Sequence, residues 1–285
     1  MTIFTAHWHH DLLRLTAQEM FRRYDAEALP NLLVLMPNRR SCIAMREAFR
    51  GLTGDETVLL PRIVPLGDAE NELLMAFARG QADAESALSA LPPAMSQWQH
   101  RMLLAELVRT FETKRTGLEP SLHHVLALTD DLIEIQQNLI REGIHIADVN
   151  VSRVAFPDMA QHWQVNILFK EWPYIESERG LVTRAGREQA LLKAMNATWK
   201  KSPPPYPVWM VGSTGSMPVV RELMATIHRL PQGFVVLPEL NITISDAVNI
   251  GHAQYYVQQA MHAMGATHDS VDLLGEQGVT PRQQL

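Results

Sequence analysis

The sequence predicts an α/β fold in which a mostly parallel sheet is interrupted by a large all-helical insertion. Three observations carry that prediction. Leu32–Met36, Val208–Val211 and Phe234–Leu237 are short, continuous apolar runs, the pattern of strands covered on both faces. From Val208 to Leu237 the order is strand, Gly/Ser/Thr loop, amphipathic helix, strand, which makes a parallel βαβ unit. Between Asp68 and Trp199 the apolar spacing becomes helical almost throughout.

Taken in order, the first predicted element is a helix whose apolar stripe is Leu12, Leu13, Leu15, Met20 and Phe21, closed by Pro30. Pro37-Asn38 ends the strand at Leu32–Met36, and a helix follows from about Ser41 to Leu52. Thr57–Leu60 reads as a further short strand. Helices are expected over Ala69–Ala78, Ser96–Phe111, Leu122–Glu142, Asp158–Arg179 and Thr183–Trp199. Ser96 and Thr183 stand where N-caps belong, and Gly143 and Gly180 where C-caps belong. The proline-rich stretch from Ser202 to Pro207 is a stiff connector back into the βαβ unit. One more helix is expected at Ala253–Met264, and the polar residues beyond it are expected to fray. The resulting division is 1–67, the first part of the α/β domain; 68–201, the helical insertion; and 202–285, the second part.

Length and composition bound the function. The 285 residues suffice for one large domain or two ordinary ones, and 46% hydrophobic with 20% charged residues describes an ordinary globular chain. The formal charge of −6 argues against a wholly basic nucleic-acid coat while leaving room for a local basic groove. Cys42 is the only cysteine and has no internal disulfide partner, so a reducing cytoplasm is expected. No apolar run reaches the roughly 18 residues of a membrane span, and no signal-peptide pattern opens the chain, so no membrane contact is expected.

The chemistry of a nucleotide-hydrolysing motor is missing from a layout that suggests one. Acidic residues would end the strand at Val208–Val211, to hold Mg²⁺ and orient water; Gly212 and Ser213 stand there instead. No Gly-Lys pair occurs anywhere, so no Walker A loop is present. The loop Gly212–Ser216 reads either as a phosphate cradle or as a tight strand-to-helix turn capped by Ser216 ahead of Pro218. Asn38, Arg39 and Arg40, at a strand end entering a helix, can hold a nucleic-acid phosphate or form a solvated helix start. His7, His9 and His10 read as a surface cluster rather than a metal site, Cys42 as a packing residue, and the six tryptophans as core rather than base-stacking platforms.

Several blocks resemble the N-terminal, inactivated superfamily I helicase region of the AddB family, of the alphaproteobacterial type. AddB is the helicase-like subunit of the bacterial AddAB helicase-nuclease, which repairs double-strand breaks. The blocks are Leu32–Phe49, with its Pro-x-Arg-Arg; Val58–Asp68, VLLPRIVPLGD; and the pair Val211–Pro218 and Leu230–Pro238, which match a degenerate Walker B region. Ala253 stands where the family has proline, and the family continues into a RecB-type nuclease with iron–sulfur cysteines, so the C-terminal part is expected to be truncated.

The resemblance implies a RecA-like (P-loop NTPase-like) fold without an ATP site, and a non-catalytic, DNA-binding module that needs no cofactor. It implies weak binding of single-stranded DNA and an AddA-like helicase-nuclease as partner. The backbone-contacting residues expected are Asn38, Arg39 and Arg40, with Ser213 and Thr214 as weaker contacts. The alternatives left open are a nucleotide-binding enzyme with an atypical phosphate loop at 212–216, and a purely structural protein-interaction scaffold.

Overall fold

A computed structural model describes residues 2–7, 9–54, 57–67, 75, 77, 82–144, 163–240 and 251–275. The chain divides into two compact units: residues 1–89 with 192–285, built on a sheet, and residues 90–191, which are helical.

In the sheet unit six strands run parallel. They are β1 (Ile3–Thr5), β2 (Leu33–Met36), β3 (Arg62–Pro65), β4 (Val208–Val211), β5 (Gly233–Val236) and β6 (Val271–Leu273), in the spatial order β3-β2-β4-β5-β1-β6. The three apolar runs read from sequence therefore lie side by side in one sheet, with Leu33 opposite Val208 and Val208 opposite Gly233. All four residues of β2 and of β4 are buried, as strands covered on both faces require.

Side chains alternate across the sheet, so each face has its own cover. Phe4, Val34, Met36, Trp209, Val211 and Val236 share one core with Ala17 and Met20 of α1 (Leu12–Arg23) and with Cys42, Met45 and Phe49 of α2 (Arg39–Thr53). Ile3, Thr5, Leu33, Leu35, Met210 and Val235 alternate with these and are equally buried. That opposite face is covered by α9 (Pro218–Arg229), which packs on β4, β5 and α10 (Tyr255–Met264).

The helical unit opens with α4 (Gln97–Thr116) and α5 (Leu122–Arg141), an antiparallel pair; α3 (Ala82–Ser89) precedes them in the sheet unit. A third helical run consists of α6 (Trp163–Asn166), a π-helical turn at Ile167–Glu171 and α7 (Trp172–Arg179). Helix α8 (Arg184–Lys201) leads from the helical unit back into the sheet unit, where its Asn196 amide donates to Glu222 and Thr226 donates to Asn196.

Four expectations are corrected. The strand expected at Thr57–Leu60 forms at Arg62–Pro65 instead, because Val58 and Leu60 reach the core from an irregular segment and the ladder begins only after Pro61, with Arg62 N–H donating to the Leu32 carbonyl at 3.0 Å. Pro65 is tolerated because β3 is an edge strand. The fraying tail instead contains β6, which pairs with β1 at Ile3↔Val271; β1 itself, three residues long, gave no period to read. The helix expected over Asp158–Arg179 winds without a break from Trp163 but changes from α to π at Ile167–Glu171, and its residues 158–162 lie outside the described residues, as does all but Met75 and Phe77 of the one expected at 69–78. Trp172, Trp199 and Trp209 are core, but Trp98 is 72% exposed. Among the described residues, no helix is long and apolar enough to cross a membrane.

Candidate nucleic-acid interface

A parallel α/β sheet binds ligands outside the C-terminal ends of its strands, where neighbouring strands send their following helices to opposite faces. Strand β2 is followed by α2 on one face and its neighbour β4 by α9 on the other. The crevice between their ends is flanked by Pro37–Ser41 and by Gly212–Ser216. Asn38, Arg39 and Arg40, at the start of α2, and Ser213 and Thr214, in the loop after β4, thus follow adjacent strand ends.

The two segments differ in the groups they present. Asn38 is the N-cap of α2: its Oδ1 accepts from Ser41 N–H at 2.9 Å and from the Ser41 hydroxyl at 3.1 Å. The two residues that follow, Arg39 and Arg40, are exposed in the first turn, which holds no acidic residue. Two cations at the positive end of a helix dipole cost a few tenths of a kcal/mol each, a cost that an anion at the same place reverses. Beyond them Arg46 donates to the Ile63 carbonyl at 3.1 Å, tying α2 to β3 and fixing the helix start.

On the β4 side the backbone turns sharply, with Gly212 at φ +72° and Gly215 at φ +67°. A Cβ at Gly215 would sit 2.8–3.1 Å from Arg221, Ala260 and Met224, so only glycine fits. Ser213 is buried and its hydroxyl accepts from Gly215 N–H at 3.3 Å, while Thr214 is exposed. Arg221 donates to the Gly215 carbonyl at 2.9 Å and to the Ser216 carbonyl at 3.2 Å. The expected Ser216 cap is not formed: Met217 is the N-cap of α9 and makes no side-chain bond, because Pro218 fills the first position and Arg221 holds the turn. Self-satisfied in its backbone in this way, the loop is a strand-to-helix turn that offers two exposed hydroxyls, on Thr214 and Ser216.

A second crevice of the same kind lies between β5 and β1, which precede α10 and α1. Sequence reading passed over it because β1 went unseen. Thr5, fully buried, donates to the Leu237 carbonyl at 3.1 Å and accepts from Leu240 N–H at 3.2 Å. Beyond it the rings of His9 and His10 lie 4.2 Å apart and those of His7 and His9 5.6 Å apart. Asp11 caps α1, accepting from Leu13 and Arg14 N–H at 3.1 Å each. Among the described residues no group of three or more His, Cys, Asp or Glu is arranged to hold a metal ion.

On the flank of α1 is a shallow cleft lined by Phe4, Leu15, Glu19, Arg22, Asp272 and Gly275. Burial pushes the Glu19 carboxyl up, but hydrogen bonds from Arg22 and Arg23 outweigh it and hold the group below the ordinary range. The Arg23 guanidinium also lies 5.2 Å over the Phe4 ring and 5.1 Å over Phe234, so the charges of this cleft are engaged in packing.

Compared with protein-family models and with curated proteins, the chain matches none.

Proposed function

We propose that this chain is a non-catalytic, DNA-binding module of RecA-like layout, similar in role to the inactivated helicase region of AddB and partnered by an AddA-like helicase-nuclease. The observation that carries the reading is the adjacency of the β2 and β4 strand ends, which the candidate contacts follow. Exposed Arg39 and Arg40 supply charge where the α2 dipole already favours an anion, and Thr214 supplies a hydroxyl across the crevice. Neither loop carries a carboxylate or a lysine to take part in phosphoryl transfer. The atypical phosphate loop is the weaker reading, because the Gly215 amide already donates to Ser213 and Arg221 already occupies the carbonyls.

The chain's formal charge of −6 works against long-range attraction, so binding is weak and steeply salt-dependent. Fluorescence anisotropy with labelled single-stranded DNA tests this. Arg39→Ala/Arg40→Ala should weaken binding about tenfold at low salt, uniformly across sequences, and flatten the salt slope by at most about two. An unchanged affinity and slope in the double variant would move the contact elsewhere. No binding by the wild type at low salt would favour the scaffold, and a Mg-ATP-dependent thermal shift would favour the nucleotide-binding enzyme.

A further inference from the structure

Trp98 is the second residue of α4 and is 72% exposed, in contrast to the fully buried rings of Trp172 and Trp209. Met102, one turn further along the same side of the helix, is 61% exposed. What stands beside this indole is set by a short parallel bridge. Ala94 pairs with Val182; Met95 N–H donates to the Val182 carbonyl at 2.9 Å, and Val182 N–H donates to the Pro93 carbonyl at 3.1 Å. The two segments run side by side, about 4.8 Å apart, and each turns within two residues into a helix. Ser96 accepts from Gln99 N–H at 3.2 Å and Thr183 from Gly186 N–H at 3.1 Å, so both helix starts are fixed by caps.

The first turn of α8 therefore emerges next to that of α4 and carries an exposed arginine, Arg184. Neither first turn holds an acidic residue. Arg187 keeps a second guanidinium at this end, donating to the carbonyls of Leu91, at 3.3 Å, and Pro92. Glu176 accepts from Thr183 N–H at 3.1 Å, and burial pushes its carboxyl above the ordinary value; Glu188 follows Arg184 one turn along α8. The surface is thus an exposed indole with the exposed Arg184 on the adjoining helix start.

We propose that this end of the helical unit is a stacking platform for single-stranded nucleic acid, in which Trp98 takes a base on its ring face and Arg184 takes the adjoining phosphate. The inference rests on the DNA-binding reading above. Exposed aromatics paired with cations bind single strands without sequence preference, because every base has a π face and every linkage a charge. A protein-docking face would need a contiguous apolar area of several hundred Å². Here the apolar stripe is two side chains wide and is bounded by the Arg101–Asp130 ion pair, at 2.7 Å.

The test uses the full chain and two labelled oligonucleotides of equal length, one of thymidines and one carrying abasic sites, which keeps the phosphates and removes the rings. Wild type should bind the intact strand about tenfold more tightly than the abasic one, within the range of one base-stacking contact. Trp98→Ala should bind both alike at the abasic level, and Trp98→Phe should restore part of the preference. Arg184→Ala should weaken both equally and flatten the salt slope by about 0.7. Equal binding of the two strands by wild type, or an intact preference in Trp98→Ala, would overturn the proposal. If Arg39→Ala/Arg40→Ala alone weakens binding, the crevice reading stands and this one falls. If wild type binds neither strand, both fall. Self-association that Trp98→Ala abolishes, without discrimination between the strands, would assign the surface to a second copy of the chain instead.

Discussion

The two units bury polar groups of different kinds. Among the described residues of the sheet unit the buried polar side chains are Thr5, Thr16, Asn196, Thr198, Ser213 and Thr226, all hydroxyls or amides. In the helical unit they include His100 and Glu112, which can carry charge. The contrast follows from how each unit fixes its register. Parallel strands are aligned by their backbone ladder, so their side chains can be apolar on both faces. Helices α4 and α5 have no shared ladder. Their seam sets His100, Leu104, Val108 and Glu112 of one helix against Gln136, Leu132, Thr129 and Val125 of the other. Polar clamps close its two ends: His100 to Gln136 at 2.8 Å, and Glu112 to Arg115 at 2.7 Å with His124 at 3.5 Å.

The largest effect should come from emptying the sheet core. The Trp209 ring stacks on Phe234 at 4.3 Å and on Phe4 at 5.9 Å, bridging three strands. Trp209→Ala should cost about 3–5 kcal/mol. Hydrogen exchange should then show protection lost in peptides covering β2, β4 and β5, with α4 and α5 unchanged. Equal loss in both units would break the comparison, since it would make the helical pair dependent on the sheet.

A smaller effect separates the units by pH. Burial holds the His100 imidazole below its ordinary value, outweighing the opposing hydrogen bond to Gln136. Its folded pKa being depressed, the unfolded chain takes up a proton first. Stability is therefore full above about pH 6.5 and falls as pH drops from there toward the folded value. Glu112 acts lower: hydrogen bonds from Arg115 hold its carboxyl down, so its contribution is present above about pH 4.5 and lost below. Glu176, raised by burial, opposes both, losing stability as pH climbs from about 4.5 toward its folded value. Urea midpoints of His100→Gln between pH 7 and 5 should fall less steeply than wild type. His228 in the sheet unit, lowered by burial and by Arg229, leaves a residual slope of the same sign. An unaltered slope in His100→Gln would take His100 out of the dependence and leave it to the other titrating groups, His228 and Glu176 among them.

What was legible in the sequence follows the same division. The strands β2, β4 and β5 announced themselves because a strand covered on both faces has no polar positions to confuse the pattern. Strands β1 and β6 have three residues each, and β6 is only half-buried, so neither gave a signal above its surroundings. The five candidate contacts were legible as positions that follow strand ends, but not what each does there. Asn38 turned out to spend its carbonyl on the helix start, and Ser213 to face inward. Trp98 was misread because tryptophan is usually core, and its exposure depends on the turn of α4 on which it falls. The juxtaposition of Ser96 with Thr183 depends on a bridge between residues 88 positions apart, Ala94 and Val182, which no local pattern encodes.

The smallest stability effect has the sharpest functional consequence, and it sits where the sheet unit meets its proposed ligand. Asn38 caps α2 through one carbonyl oxygen, whereas Ser96 caps α4 in a reciprocal box with Gln99. Asn38→Ala should cost about 1 kcal/mol, the ordinary worth of a side-chain cap. Asn38→Asp keeps the acceptor and adds a charge that the helix dipole and the neighbouring Arg39 and Arg40 favour, so it should stabilise the fold by about 0.3–1 kcal/mol. The same carboxylate stands beside the two cations proposed to hold a phosphate and neutralises them. Single-stranded DNA affinity should therefore fall severalfold while the urea midpoint rises. Opposite signs in the two measurements would show that the crevice serves a ligand rather than the fold. If affinity rises or falls together with stability, the arginines act through the integrity of α2 alone.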